Sequence, residues 1–168
     1  FTTPKRLKLQ KTPQIVFCGT GTPEADKFRA QSSTCVITDS QTFIVDCGDA
    51  SPRNLIIHGV PLETLNVLFL THFHCDHIAG LIDLCRRIFM VRQQLGLDTL
   101  DLTVVGPTGL KDVIHGLQLM IDSHETSSKK FVNFSKLIEI NDTYHEFSFG
   151  TDVVKAYQVD HGIHAYCY

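Results

Sequence analysis

Hydrophobic and polar positions in the first half of the chain form short runs that predict strands alternating with a helix. Four apolar or β-branched runs have the length and composition of strands: 14–17, 34–38, 42–46 and 67–70. Polar turn residues join the second and third runs as a hairpin. Ser51 is the predicted N-cap of a short helix, Pro52 lies in its first turn and Gly59 ends it. This order of strand, helix and strand indicates an α/β unit.

The rest of the chain continues the same alternation. The pattern predicts these further elements in chain order: a helix with apolar spacing over 78–89, a strand at 102–105, a helix through 110–121, and strands at 134–140 and 153–159. Gly96 is expected to end the first of these helices, and Thr108 or a nearby residue is expected to cap the second. The polar stretch 127–130 predicts a loop.

The candidate chemistry is concentrated directly after the apolar run 67–70. The segment Thr71-His72-Phe73-His74-Cys75-Asp76-His77 places three imidazoles and one carboxylate within six positions. Imidazole and carboxylate side chains are common ligands of zinc and related ions. A buried strand that ends in a turn would hold them at the edge of a sheet, where other loops can converge. The segment therefore predicts metal binding, and a histidine-rich loop without a metal is the alternative.

A second cluster follows the predicted strand 153–159 and consists of Asp160-His161-Gly162-Ile163-His164. A histidine at the end of a strand is suited to complete a three-histidine site begun by His72 and His74. His161 is the candidate for that ligand, and His164 is its competitor.

Length and charge limit the class of protein. With 168 residues, of which 43% are hydrophobic, the chain is long enough for one globular domain with a core. We expect this domain at 14–168, preceded by a basic arm at 1–13. The formal net charge of −3 argues against a uniformly basic nucleic-acid-binding protein but does not exclude RNA as a partner.

The cysteines and the hydropathy pattern indicate the cellular setting. The six cysteines form no CxxC pair, and the sequence shows no signal-peptide pattern and no apolar run long enough to span a membrane. We therefore expect reduced thiols in an intracellular protein with no membrane partner. The cytoplasm is the default compartment, and the nucleus and the mitochondrion are alternatives.

The histidine cluster resembles the metallo-β-lactamase superfamily, whose HxHxDH signature is similar to His72, His74, Asp76 and His77. Within that superfamily the chain most resembles the tRNase Z family. The further similar segments are Phe17-Cys18-Gly19-Thr20-Gly21 (family FLGTG), Lys27-Phe28-Arg29 with Ser32-Ser33 (KYRN-x-SS), Asp46-Cys47-Gly48-Asp49 (DCGE), and the strand that leads to His161-Gly162-Ile163-His164-Ala165-Tyr166 (HxxPSYGY).

This resemblance implies an α/β fold, the metallo-β-lactamase-like αβ/βα sandwich, represented mainly by its N-terminal half. It implies a zinc-dependent endoribonuclease that removes 3′ trailers from precursor tRNA. His72, His74 and His161 would bind one zinc ion, and Asp76 and His77 would bind a second. Asp76 is either the catalytic base that takes the proton of the attacking water or a ligand alone.

The resemblance gives expected roles to three more residues. Asp46 is expected to orient a ligand histidine rather than to act as a general base. Lys27 and Arg29 are candidate contacts to substrate phosphate, and a salt-bridged loop is the alternative for them.

The chain also departs from the tRNase Z pattern. Ala50-Ser51-Pro52 replaces the family's GTQ after DCGE, His164 replaces the proline before SYGY, and Cys167 replaces the glycine between the two tyrosines. The sequence ends before the positions of the family's bridging aspartate, last zinc-binding histidine and tRNA-gripping arm. We therefore expect the domain to be incomplete at its C-terminus.

These departures leave other functions open. One is a different hydrolase on the same scaffold, either a cyclic-nucleotide phosphodiesterase or an arylsulfatase-like enzyme. Another is an inactive half-fold subunit that needs a partner chain. A truncated sandwich exposes an apolar face, so we expect a homo-oligomer or a complementary chain.

Overall fold

The computed structural model describes residues 6–9, 11–24, 26–98, 100–122 and 132–168. Its helices and strands in chain order are β1 (Gln14–Gly19), β2 (Ser33–Ile37), β3 (Thr42–Val45), α1 (Ser51–Ile57), β4 (Leu65–Phe69), α2 (Cys75–Ile78), α3 (Leu81–Gln94), β5 (Leu100–Pro107), α4 (Leu110–Asp122), β6 (Val132–Ile140), β7 (Tyr144–Phe149), β8 (Asp152–Val159) and β9 (Ala165–Cys167). A 3₁₀ turn at Leu62–Thr64 precedes β4. From β3 to β6 strands and helices alternate, as the hydrophobic pattern predicts.

Within the described residues the strands form two sheets. The larger sheet has the order β1-β2-β3-β4-β5-β6, with antiparallel pairing from β1 to β3 and parallel pairing from β3 to β6. Parallel neighbours need a crossover connection, and α1, then α2 with α3, then α4 lie in these crossovers. The smaller sheet is antiparallel, with the order β7-β8-β9.

The larger sheet has a buried layer of side chains on each face. On one face, Leu68 of β4 packs with Leu84 and Ile88 of α3. On the other face, Phe69 packs with Phe147 of the smaller sheet, and their ring centroids lie 6.2 Å apart. Neighbouring residues of β4 thus enter different layers, because successive side chains of a strand point to opposite faces. The layers follow the order helices, larger sheet, smaller sheet, as expected for the first half of an αβ/βα sandwich.

The smaller sheet leaves one edge of the larger sheet uncovered. Ile15 and Phe17 of β1 are 62% and 66% exposed. Ile15 lies opposite Val36 of β2, and Val36 packs partly against the core between the sheets. Residues that lie opposite each other in a ladder share a face. Ile15 and Phe17 therefore form an exposed apolar strip on one face of the larger sheet. The smaller sheet covers the same face at β3, β4 and β5.

The helix predicted from the spacing over 78–89 is two helices in the structure, α2 and α3. The amide of Gly80 donates a hydrogen bond to the carbonyl of Cys47 at 2.8 Å. A Cβ atom at position 80 would press against the carbonyl oxygen of Gly48. This close backbone contact accompanies the break between α2 and α3, and the apolar spacing does not reveal it. No helix in the described part of the chain is long and apolar enough to cross a membrane.

The start of α1 also differs from the prediction. Ala50, with φ 60°, is the N-cap, and Ser51 is the first helical residue. The hydroxyl of Ser51 donates a hydrogen bond to the carbonyl of Gly48 at 2.8 Å. The prediction of Ser51 as N-cap was therefore wrong, because its side chain closes the preceding turn instead of capping the helix.

Residues 6–9 of the basic arm predicted at 1–13 are described by the structure, and they contact the domain. Leu7 and Leu9 pack against the core on the helix side of the larger sheet. The amide of Leu7 also donates a hydrogen bond to the carbonyl of Gly59 at 2.8 Å. This part of the arm is held because its two leucines contact an apolar surface. The predicted loop 127–130 lies outside the described residues.

A carboxylate joins the two sheets at the hairpin turn between β2 and β3. Oδ2 of Asp152, the first residue of β8, accepts hydrogen bonds from Nε2 of Gln41 and the hydroxyl of Ser40, each at 2.9 Å. The hydroxyl of Thr38 donates to the same oxygen at 3.0 Å. Burial raises the pKa of Asp152, but these hydrogen bonds outweigh burial and hold the pKa below its usual value. A charged carboxylate therefore holds the smaller sheet in place.

Asp152→Asn is expected to lower the free energy of unfolding by about 1–2 kcal/mol, because a neutral amide accepts these hydrogen bonds less strongly. The folded-state pKa of Asp152 lies below the unfolded value. The carboxylate's contribution is therefore full above the unfolded pKa and is lost as the pH falls through the folded pKa. Urea unfolding of the intact protein at about pH 7 and about pH 3 should show the difference shrinking in acid. Asp39→Asn, at an exposed carboxylate of the same turn, is the matched control, and an equal loss there would contradict this account.

Candidate metal centre

The candidate ligands lie where parallel strands of the larger sheet end. Asp46 follows the last residue of β3, and the segment 71–77 begins just after β4. The amide of Asp46 donates a hydrogen bond to the carbonyl of Phe69 at 2.8 Å, which joins the two strand ends. The carboxyl ends of neighbouring parallel strands lie at the same edge of a sheet, so β3 and β4 bring these residues together.

The structure brings His72, His74 and His161 together. Nε2 of His72 lies 3.0 Å from Nδ1 of His74 and 3.2 Å from Nε2 of His161. One nitrogen of each imidazole lies within 4.8 Å of the others. The loop between β8 and β9 thus brings His161 to the two histidines that follow β4. His164, the competing candidate, lies outside this group, and its ring centroid is 5.7 Å from that of Tyr166.

Two hydrogen bonds hold β9 against the end of β4. The amide of Tyr166 donates to the carbonyl of Thr71 at 3.0 Å. The hydroxyl of Tyr168 donates to the carbonyl of Leu70, also at 3.0 Å. Burial raises the pKa of Tyr168, so its hydroxyl remains protonated and able to donate. The two tyrosines help to position His161. In the sequence, the one feature that could have indicated this role is that both tyrosines follow His161 within seven residues.

Asp76 and His77 form a second pair of candidate ligands on α2. Nε2 of His77 lies 3.4 Å from Oδ2 of Asp76, whose side chain is buried. Nδ1 of His77 lies 2.6 Å from Oδ2 of Asp46. When Nδ1 donates its proton to Asp46, the lone pair of Nε2 faces Asp76. This is the tautomer in which His77 can bind a metal through Nε2.

Asp46 connects the two sets of candidate ligands. Besides contacting His77, its buried carboxylate accepts hydrogen bonds from the amide and the hydroxyl of Thr71, each at 2.8 Å. The same hydroxyl lies 2.9 Å from Nδ1 of His72. A hydroxyl that donates to Asp46 can accept the Nδ1 proton of His72, which leaves Nε2 of His72 for a ligand. Thr71, to which the sequence pattern assigned no role, is therefore part of the site.

The backbone conformation of Asp46 also indicates that its surroundings hold it in place. Asp46 has φ 59°, in the left-handed region that residues with a side chain rarely adopt. Such a conformation costs free energy and persists only where the surrounding contacts hold it. The hydrogen bonds to Phe69 and Thr71 supply those contacts.

Two of the candidate ligands have shifted pKa values. Burial, followed by the positive charges of His77 and His161, lowers the pKa of His72 to about 4. Burial also lowers the pKa of His77, but the hydrogen bond and the charge of Asp46 outweigh it and raise that pKa above its usual value. His72 is therefore neutral at neutral pH, which is the protonation state that a metal ligand needs.

The donor set fits a metal ion. Nε2 of His72 faces a nitrogen of His74 and a nitrogen of His161 at the same time. A proton bridges only one pair of nitrogens, whereas a metal cation accepts lone pairs from all three. Imidazoles with a nearby carboxylate are ligands typical of zinc and other transition metals. The cluster can therefore hold a metal ion, in line with the prediction from the histidine-rich segment.

A loop borders these ligands, and the structure describes its residues 20–24 and 26–32. Its Pro23 and Gln31 line a cleft of about 330 Å³ together with His74, Cys75 and Asp76. The amide of Gly48, in the turn after β3, donates to the carbonyl of Ser32 at 2.9 Å and fixes the end of the loop. This hydrogen bond to the turn after β3 therefore holds the end of the loop beside the candidate metal ligands.

The structure places Lys27 and Arg29 on this loop, both exposed. Oδ1 of Asp26 accepts hydrogen bonds from the amides of Phe28 and Arg29 at 2.7 and 3.1 Å. Nζ of Lys27 lies 4.6 Å from the centroid of the Phe28 ring. In the part of the chain that the structure describes, neither cation forms an ion pair. Lys27 and Arg29 thus lie on the loop that borders the cleft, and they are not part of the group of candidate ligands.

Comparison with known proteins decides the family. The sequence model of the family described as "Anti-Pycsar protein Apyc1" matches residues 13–168. The chain belongs to this family.

Curated relatives of this Apyc1-family chain include ribonucleases Z. Ribonuclease Z of Methanococcus aeolicus is 30% identical over 165 residues, which cover 92% of the chain and 45% of the relative. Ribonuclease Z of Mycolicibacterium gilvum is 35% identical over 104 residues, which cover 62% of the chain and 36% of the relative. The chain thus spans less than half the length of these relatives.

Solved structures similar to this Apyc1-family chain include a tRNase Z and a metallo-β-lactamase fold protein. Human tRNase Z, short form, superposes with a TM-score of 0.71 at 21% identity, over 92% of the chain and 63% of that protein. The metallo-β-lactamase fold protein YhfI from Bacillus subtilis superposes with a TM-score of 0.67 at 21% identity, over 92% and 56%. The predicted fold class, the N-terminal half of a metallo-β-lactamase-like sandwich, and the resemblance to tRNase Z are confirmed.

Asp46→Asn is expected to weaken zinc binding by about 10- to 100-fold, because an amide no longer holds the Nδ1 proton of His77 as a carboxylate does. Calorimetric titration of the intact, metal-free protein with zinc measures this change. Asp49→Asn is the matched control, since this nearby carboxylate is exposed, and its zinc affinity should equal that of the wild type. Wild-type affinity in Asp46→Asn would contradict a role for Asp46 in orienting His77.

Proposed function

We propose that this chain provides the first half of a zinc-dependent phosphodiesterase, an endoribonuclease that removes 3′ trailers from precursor tRNA. The observation that carries the proposal is the convergence of His72, His74 and His161 beside the pair of Asp76 and His77. The similarity of the chain to ribonuclease Z over 92% of its length supports RNA as the substrate class.

Zinc is the metal that we propose, with two ions per complete site. His72, His74 and His161 would supply three nitrogens to one ion, and Asp76 and His77 would supply an oxygen and a nitrogen to the other. The tautomers set by Asp46 and Thr71 support this division, because they leave Nε2 of His72 and Nε2 of His77 free to bind. When bound, two such ions polarise the phosphodiester and lower the pKa of the attacking water towards about 7.

The chain's own groups would position the reacting atoms. Asp76 has two proposed roles: a ligand alone, or a base that also takes the proton of the attacking water. Its side chain is buried and points towards His77, which suits either role. Lys27 and Arg29 are proposed to contact phosphates of the RNA, because neither is neutralised by an ion pair among the described residues and their loop borders the metal ligands.

We also propose that activity requires residues other than these 168. Zinc in proteins is commonly four-coordinate, whereas Asp76 and His77 provide only two ligands to the second ion. The exposed strip of Ile15 and Phe17 is a surface on which further structure can pack. A continuation of the chain, a second copy of it or a complementary chain would supply both. The proposed setting is intracellular, with the cytoplasm as default and the nucleus and mitochondrion as alternatives.

A second candidate function is the hydrolysis of a smaller ester, by a cyclic-nucleotide phosphodiesterase or an arylsulfatase-like enzyme. The observation that favours it is that the family model matching residues 13–168 is described as an anti-Pycsar protein and not as ribonuclease Z. Departures from the tRNase Z pattern at His164 and Cys167 point the same way. An inactive half-fold subunit is the remaining alternative.

A comparison of substrates tests the proposed function. The intact, zinc-loaded protein, in the assembly that supplies the missing ligands, is assayed with a 3′-extended tRNA, a cyclic mononucleotide and bis(4-nitrophenyl) phosphate. We expect cleavage at the 3′ end of the tRNA. His161→Ala is expected to lower kcat/KM by about 100-fold or more, because one metal ligand is lost. His115→Ala, at an exposed histidine of α4, is the matched control and should retain wild-type activity.

Each outcome separates the candidates. Cleavage of only the small esters would refute the nuclease and support the second function. No turnover, together with fewer than two zinc ions per chain, would support the inactive subunit. Equal losses in His115→Ala and His161→Ala would show that the effect does not depend on the metal ligand.

A further inference from the structure

A cleft beside His161 lies outside the group of candidate metal ligands. Its volume is about 640 Å³, and it lies between the loop of residues 160–164 and Thr143. Pockets that bind small ligands commonly have volumes of about 300–1,000 Å³. The cleft therefore has the size that a nucleoside needs.

The cleft adjoins the metal ligands through His161. This residue lines the cleft, and its Nε2 lies 3.2 Å from Nε2 of His72. Gly162, with φ 73°, turns the loop directly after His161. The amide of Gln158 donates a hydrogen bond to the carbonyl of Thr143 at 2.9 Å, which fixes the opposite side of the cleft. A molecule in the cleft can therefore place an attached phosphate at the metal ligands.

The lining of the cleft suits an uncharged group with flat apolar faces. Val159 and Ile163, which are 39% and 44% exposed, provide apolar surface. The side chains of Gln158 and Thr143 provide hydrogen-bond donors and acceptors. The side-chain carboxamide of Gln158 has both an NH₂ donor and a carbonyl acceptor. The described lining residues include Asp160 but no lysine or arginine. A phosphate would not be attracted here, whereas a nucleobase has apolar faces and a hydrogen-bonding edge.

His164 adds a planar ring to this cleft. It stands where the tRNase Z pattern has a proline, and its side chain is exposed. Its ring centroid lies 5.7 Å from that of Tyr166, which is buried and fixed by its hydrogen bond to Thr71. Bases of single-stranded nucleic acids stack on aromatic side chains, including histidine. His164 therefore offers a stacking surface supported by a rigid neighbour.

We infer that this cleft binds the nucleoside attached to the scissile phosphate, with the base against Ile163 and His164 and its edge at Gln158. The inference rests on the proposed phosphodiesterase function and names the part of the substrate that the metal ligands do not contact. An RNA strand and a cyclic mononucleotide both carry this chemistry, so the experiment includes both.

Equilibrium binding to the intact, zinc-loaded protein tests the inference. Calorimetry compares the four nucleoside 5′-monophosphates with inorganic phosphate. The double variant Gln158→Ala/Ile163→Ala is expected to weaken nucleotide binding by about tenfold or more and to leave the affinity for inorganic phosphate unchanged, because only the nucleotide enters the cleft. Leu119→Ala, at an exposed apolar residue of α4, is the matched control and should change neither affinity.

Two results would overturn the inference: an unchanged affinity for nucleotide, or an equal loss for nucleotide and inorganic phosphate. If the double variant does not fold, His164→Ala, at an exposed position, provides the same comparison. These readouts need no turnover. A nucleotide-specific loss in a protein without hydrolase activity would therefore support the cleft and contradict the proposed function.

Hydrolysis assays then identify the source of the nucleoside. A selective rise in KM for a short RNA assigns the cleft to an RNA strand. A selective rise for a cyclic mononucleotide assigns it to the smaller substrate. A variant that changes KM for neither, while both are hydrolysed, overturns the inference.

Discussion

The candidate site depends on the hydrogen bonds that the buried carboxylate of Asp46 makes. A charge removed from water is stable only where hydrogen bonds and opposite charge surround it. Asp46 has these partners in the amide and hydroxyl of Thr71 and in the imidazole of His77. The same contacts join the ends of β3 and β4 and set the tautomers of His72 and His77. The same hydrogen bonds thus stabilise the buried carboxylate and orient the candidate metal ligands.

The candidate metal ligands also connect the two sheets. The larger sheet carries His72 and His74 after β4, and the smaller sheet brings His161 on the loop before β9. Tyr166 and Tyr168 hold the smaller sheet at the metal end, and Asp152 holds it at the opposite end of the ladder, near the β2–β3 turn. A metal ion bound by all three histidines would add to these attachments. Metal binding is therefore expected to stabilise the docked position of the smaller sheet, and docking is expected to strengthen metal binding.

Much of the fold, and the grouping of the candidate ligands, was predictable from the sequence, because both follow local patterns. The density of imidazoles in 71–77 and the place of His161 at a strand end indicated the three histidines that the structure brings together. What the sequence did not reveal depends on contacts between distant segments. The break before α3 follows close contact between Gly80 and Gly48, and the role of Thr71 follows its approach to Asp46. Strand β7 has a single buried residue, Phe147, and a mixed composition, so its alternation gave no clear signal.

The central claim is that His161 completes one metal site with His72 and His74 across the two sheets, while Asp76 and His77 serve a second. Native mass spectrometry of the intact protein, titrated with zinc, tests this claim most directly. The account predicts that zinc binds at the three histidines of the wild type and that His161→Ala weakens this binding by about tenfold or more. Zinc bound with unchanged affinity in His161→Ala would contradict it.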